Sequence, residues 1–185
     1  MIEELKESYY FGSYTKVVND STSYRKDDEE VEFIVLRSRL ALNQNDFVIN
    51  ATRGQTNNVQ KGINLLANAL KLTNEEEIQN LLSNIDRSLL QISDYYAICV
   101  AIIYLRINNY LDALSILDGV AHDEAVALRI QALLSINRND LAEGEIANIK
   151  DPNLSKICTA QIGIVKGGDA ARDSLYSLQD ISDRG

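Results

Sequence analysis

The chain is predicted to be all-α, a right-handed α-solenoid of about six degenerate tetratricopeptide-like helix pairs, and three observations predict it. Residues 93–120, SDYYAICVAIIYLRINNYLDALSILDGV, hold two apolar-periodic segments parted only by Asn108-Asn109. Helices joined by so short a break fold back on each other as an antiparallel pair. The same sequence of apolar segment, polar or glycine break and second apolar segment recurs along the chain. Only one Pro and nine Gly occur in 185 residues, so little interrupts regular helix.

The pairs are expected at approximately 1–24, 27–51, 58–86, 93–120, 123–150 and 153–183 of a single domain. In the first, Ile2, Leu5, Tyr9 and Phe11 make one helical face, Gly12-Ser13 breaks it, and Val17 and Val18 oppose it. The acidic run Asp27-Asp28-Glu29-Glu30 puts negative charge where a helix N-terminus attracts it. A metal site is the competing reading, but the helical pattern Val31, Ile34, Val35, Leu36, Leu40 follows at once. That helix ends near Asn43, and Asn45-Asp46-Phe47 opens its partner. The polar stretch 52–58, TRGQTNN, reads as an exposed loop or a slack repeat end.

The third pair places Ile63, Leu66, Ala67 and Leu70 on one face. Thr73 is expected to cap its second helix with Glu76 at capping-box distance, ahead of Ile78, Leu81, Leu82 and Ile85. Residues 87–92 read as a connector. In the fourth pair small Ala97 and Ala101 allow close helix approach, while Tyr104 and Tyr110 fill the turn. The fifth breaks at 137–140, NRND. The sixth runs from Asn153 or Leu154, with Pro152 falling at the helix start where its missing N–H costs nothing, and breaks at Gly167-Gly168.

The first apolar residues after the breaks, Tyr14, Phe47, Ile78, Tyr110, Leu141 and Ala170, are 33, 31, 32, 31 and 29 apart. Such spacing suits the tetratricopeptide repeat better than the longer HEAT or armadillo period. With Tyr110 as the aromatic after the turn, Ala101, Tyr104, Ala113 and Leu117 occupy the small, aromatic, small and bulky positions of that repeat. Ala132, Ser38 and Ala41 fit less completely placed repeats, and Ser135 and Gly144 match loosely. First helices would line the concave face, the usual binding surface of such arrays. Its candidate partner-binding residues are Tyr95, Ile98, Ile102 and Arg106 in one pair and Val126, Arg129, Leu133 and Asn137 in the next. An apolar surface with scattered Arg suits a buried, persistent partner segment; the competing reading makes some of these residues inter-repeat core.

A net charge of −9 argues against nucleic acid as a partner, which needs a clustered basic surface. Cys99 and Cys158 lie in apolar helical contexts and read as small buried hydrophobes of a reducing cytosol. His122, the only histidine, reads as a surface or capping residue at a helix start. No nucleophile stands beside a base, and no His or Cys set has metal-ligand spacing. Gly167-Gly168 lacks the strand that a nucleotide fingerprint needs. Neither catalysis nor a cofactor is expected. The opening MIEELKESYY carries acids where a signal peptide has bases, and the longest apolar run, 95–105, is too short to span a bilayer. A cytoplasmic location follows, with the sequons at Asn19, Asn50 and Asn153 unused.

Three stretches in order, ESYYFGSYTKVVN (7–19), AVALRIQALLSINRNDLAEGEI (125–146) and VKGGDAARDSLYSLQDISD (165–183), resemble the coatomer epsilon subunit family. The resemblance covers the chain, is thinnest over 48–92, and draws its specificity from order, break positions and Gly167-Gly168. It implies a tetratricopeptide solenoid that is a non-catalytic subunit of the COPI coat, acting in retrograde Golgi-to-ER and intra-Golgi transport. The implied partners are the C-terminal domain of the coatomer alpha subunit, which such proteins clasp, and the assembled coatomer. Contact with Golgi and vesicle membranes would be peripheral, through the coat alone. Family members continue past the point matching Arg184-Gly185, so the chain is expected to be a fragment. The alternative function is a tetratricopeptide adaptor or co-chaperone that captures a C-terminal carboxylate. Such a clamp needs several Lys, Arg and Asn converging where Ile98, Ile102 and Leu133 stand.

Overall fold

Four turns of one kind set the architecture. Gly12, Asn43, Asn108 and Asn137 all adopt left-handed backbone, with φ of 76, 58, 57 and 59°. Gly bears no Cβ to clash there, and Asn is among the few side chains that tolerate it. At each turn the residue after the left-handed one donates its N–H to the carbonyl five residues back: Ser13 to Ser8 (2.8 Å), Gln44 to Arg39 (2.9 Å), Asn109 to Tyr104 (2.9 Å) and Arg138 to Leu133 (2.8 Å). The left-handed residue itself donates three residues back, to Tyr9, Leu40, Leu105 and Leu134. This is the Schellman closure, which satisfies the last carbonyls of one helix and turns the chain straight into the next.

The computed structural model describes residues 2–25 and 28–182, and the side chains of 2–25 and 28–179. Asp27, Asp183 and Arg184-Gly185 lie outside the described residues. Among those described, every regular element is helical: α1 (Ile2–Tyr10), α2 (Tyr14–Asp20), α3 (Glu29–Ala41), α4 (Asn45–Ala51), α5 (Asn58–Lys71), α6 (Glu75–Ser83), the single turn α7 (Leu89–Ile92), α8 (Asp94–Arg106), α9 (Tyr110–Leu117), α10 (Asp123–Ser135), α11 (Asn139–Glu145), α12 (Pro152–Lys166) and α13 (Gly168–Ser182). Short 3-10 turns follow α2 and α11. Several helix starts carry side-chain caps of ordinary chemistry. Asp28 accepts from the N–H groups of Glu30 and Val31, so the acidic run there serves a helix start. His122 Nδ1 accepts from Glu124 N, and the Asp151 carboxylate accepts from Asn153 N and Leu154 N ahead of α12, whose first residue is Pro152.

The third pair departs from this pattern. Leu72 is extended (φ −78°, ψ 138°) instead of closing a Schellman turn. The cap of α6 is Asn74, whose side chain accepts from Glu76 N at 2.9 Å, and not Thr73 as expected. Asn is at least as good a cap as Thr, and it stands one residue nearer the helix. The repeat register needs the same correction. Val17, Val48, Ile78, Ala113 and Ala142 each sit three residues after a second-helix start and are buried to 3% exposure or less. Their separations are 31, 30, 35 and 29. Phe47 and Leu141, taken as equivalent markers from sequence, are 52% and 45% exposed and precede the true core position by one residue. The longer interval arises where residues 84–93, including α7, lie between α6 and α8.

First helices stack in chain order, α1 on α3, α3 on α5, α5 on α8, α8 on α10 and α10 on α12. Each of α2, α4, α9 and α11 also touches the first helix of the next pair. That ordering is an α-solenoid, in which a pair buries its apolar face only on its neighbours. The main core runs through α5, α8 and α9, with Ile63, Val100, Ile103, Ala113 and Leu117 at 0% exposure. Close approach is achieved by glycine as well as alanine. A Cβ on Gly62 would stand 3.0 Å from Tyr96 Cα across the α5–α8 contact. One on Gly163 would overlap Ser174 across α12–α13. Among the described residues no helix is long and apolar enough to cross a membrane.

Candidate partner-binding face

Side chains of first helices recur every three or four residues on one face, and Tyr95, Ile98, Ile102 and Arg106 of α8 share such a stripe with Val126, Arg129 and Leu133 of α10. The structure does not gather them into an open groove. Ile98, Val126 and Leu133 are 0%, 1% and 7% exposed, so these three belong to the core. Ile102 is half-buried against the main core cluster. Tyr95 is half-buried between two rings, 4.8 Å from Phe33 of α3 and 5.4 Å from His122 at the start of α10. Asn137 is an exposed turn residue, held by its left-handed backbone.

The two arginines on this face act inside the array. Arg106 donates to the carbonyls of Ala69 and Leu72 (2.7 Å to the latter), closing the C-terminal end of α5. Arg129 does the same one pair later, donating to Leu117 and Val120 carbonyls at 2.9 Å each and pairing with Glu145 at 2.8 Å. Each guanidinium thus meets carbonyls at or just past the C-terminal end of a helix, where positive charge is favoured by the helix dipole.

Side chains of α1 and α3 reach this stripe around the start of α10. Tyr9 of α1 donates its hydroxyl to Glu124 Oε1 of α10 at 3.2 Å. Arg37 Nη1 of α3 stands 2.7 Å from the same oxygen, a close ion pair without a well-aligned hydrogen bond. Its guanidinium also lies 5.5 Å from the centre of the Phe33 ring. Burial pushes the Tyr9 hydroxyl well above its ordinary range, so it stays a neutral donor. Burial works hardest against the Arg37 charge, but Glu124 together with Tyr9 and Cys99 offsets it and the net direction is upward. Tyr10 packs against both the N-terminal cluster and the cluster of Val126, Ile130 and Leu154, and α1 touches α12. Tyr9, Phe33, Arg37 and Glu124 were not singled out from sequence for this role. Glu124 has the look of an ordinary first-turn acid, and its partners lie 115 and 87 positions away.

Reactive chemistry is absent from these contacts. The Cys99 thiol is pushed up to about 12 and Cys158 to about 11, in both cases chiefly by burial, which keeps them protonated and poorly nucleophilic. Among the described residues no three His, Cys, Asp or Glu side chains converge to hold a metal.

Residues 2–185 match the family model described as coatomer epsilon subunit. The chain is 24% identical over 199 residues to coatomer subunit epsilon of Dictyostelium discoideum, an alignment taking in 98% of this chain and 66% of that protein. It is 24% identical over 191 residues to coatomer subunit epsilon-1 of Oryza sativa subsp. japonica, covering 100% and 67% respectively. With coatomer subunit epsilon-2 of Arabidopsis thaliana the identity is 22% over 189 residues, covering 97% and 64%. The chain thus spans about two thirds of the length of these relatives.

Proposed function

The chain belongs to the coatomer epsilon subunit family, and on that premise we propose that it is a non-catalytic structural subunit of the COPI vesicle coat. In this reading it binds and stabilises the C-terminal domain of the coatomer alpha subunit within the assembled coatomer. It works in the cytoplasm in retrograde Golgi-to-ER and intra-Golgi transport and reaches Golgi and vesicle membranes only through the coat. The observation that carries the reading is the whole-chain family match on an array whose buried side chains serve helix packing, with its thiols held inert. An array of this kind offers a large preshaped surface, which suits a scaffold more than a reaction centre.

Capture of a C-terminal carboxylate by a tetratricopeptide adaptor would need free cations on the first-helix face. Arg106 and Arg129 there are already committed to main-chain carbonyls, which weighs against that reading. The test is co-expression of this chain with the C-terminal domain of the alpha subunit. Co-elution as a stable complex is expected. Elution of the two as separate species, with both shown to be folded, would overturn the proposal.

A further inference from the structure

We propose that the groove between α7 and α9 docks a protein segment carrying Lys or Arg beside aliphatic side chains. The groove exists because the array is irregular at this junction. The 35-residue interval puts residues 84–93 between the third and fourth pairs, and α7 packs on α8 beside the space left next to α9. The result is a groove of about 640 Å³ on the second-helix side, apart from the closed α8–α10 stripe.

Its lining is mixed, more polar than apolar. Ile85, Leu90 and Ile116 line it while packing against the main core cluster, so an occupant would rest on a surface that is already supported from beneath. Its walls are acidic. Asp94, Asp112 and Asp118 face Arg87 as the lone lining cation. Asp94, Asp112 and Asp118 have no ion pair among the described residues. Asp112 accepts only the neutral Asn109 amide at 2.6 Å. The helices on either side also bear the two most exposed aliphatic side chains among the described residues, Ile92 at 69% and Leu111 at 70%. A cationic, aliphatic segment matches both features: its apolar side chains cover Ile85, Leu90 and Ile116, and its ammonium or guanidinium groups supply counter-charges to the three aspartates. An acidic segment would meet three uncompensated carboxylates on a chain of net charge −9.

The test uses the full 185-residue chain, labelled with ¹⁵N, and two short model peptides, one of alternating Leu and Lys and one of alternating Leu and Glu. The Leu–Lys peptide is expected to shift amides around 85–91 and 112–120 saturably, and the Leu–Glu peptide to leave them unmoved. The double variant Asp112→Asn/Asp118→Asn should weaken Leu–Lys binding about tenfold. Arg87→Glu should strengthen it by a few-fold, a gain that a damaged fold would not produce. Shifts scattered over the acidic surface, equal binding of both peptides, or an unchanged affinity in the folded variants would overturn the proposal. So would groove shifts that grow with protein concentration alone, which would assign the groove to a second copy of the chain.

Discussion

The stack of α5 on α8 and the closure of α1 and α3 onto α10 both join first helices, but they are built from different chemistry. The stack is apolar and tight. Gly62 lets Tyr96 approach to within van der Waals contact, and Ile63, Cys99 and Val100 are at 0% exposure. The closure turns on one buried carboxylate, Glu124, shared by a tyrosine hydroxyl and an arginine. An apolar stack follows from periodicity and tolerates many sequences of equal volume. A polar closure depends on particular partners, because a buried charge that loses its counter-ion has little water to replace it.

The two contacts should therefore fail differently when changed. The largest single effect is expected at the closure: Glu124→Ala strands Arg37 and should cost about 3 kcal/mol in urea unfolding followed by circular dichroism. Arg37→Met/Glu124→Leu, which removes both charges and keeps the volume, should recover most of that loss. In the stack, Gly62→Leu should cost about 2–3 kcal/mol by overpacking against Tyr96 main chain, which cannot rotate away. A wild-type midpoint for Gly62→Leu would show that α5 and α8 are farther apart than described.

The arginine staples come next. Arg129→Met removes donors from two carbonyls and should cost about 1–2 kcal/mol. Arg106→Met should cost less than about 1 kcal/mol, because Arg106 is exposed and water can take its place. Equal losses at the two would argue against solvent replacement as the distinction. The smallest effect is expected at the turns. Asn108→Ala should cost about 1 kcal/mol from the left-handed backbone, whereas Asn108→Gly should stay within about 0.5 kcal/mol of wild type.

Much of this fold was legible because turns are local. Gly12, Asn43, Asn108, Asn137 and Gly167 mark the breaks through their own backbone preferences, with no help from distant residues. Where the turn changed chemistry, at Leu72 to Asn74, the cap was misplaced by one residue; Phe47 and Leu141 follow ordinary turns and were aligned with core positions they do not hold, because the first apolar residue after a break need not face the core. The proposed binding stripe was legible as a stripe and misleading as a surface. Burial of Ile98, Val126 and Leu133 is decided by what packs on them, and Tyr10 of α1, more than a hundred residues away, packs against the cluster that holds Val126 and Leu133. Periodicity says that a face is apolar; it does not say whether another part of the same chain covers it. The arginines show the same limit, since a cation over carbonyls and a cation awaiting a ligand look alike in sequence.

Closure of the array by α1 and α3 is the claim on which the reading of that face rests. A double-mutant cycle on Arg37 and Glu124 tests it directly, using Arg37→Met, Glu124→Gln and the double variant under identical unfolding conditions. The closed array predicts a coupling of about 2 kcal/mol between the two sites. Additive losses, to within about 0.3 kcal/mol, would mean that α3 and α10 do not meet and that the first-helix face stands open.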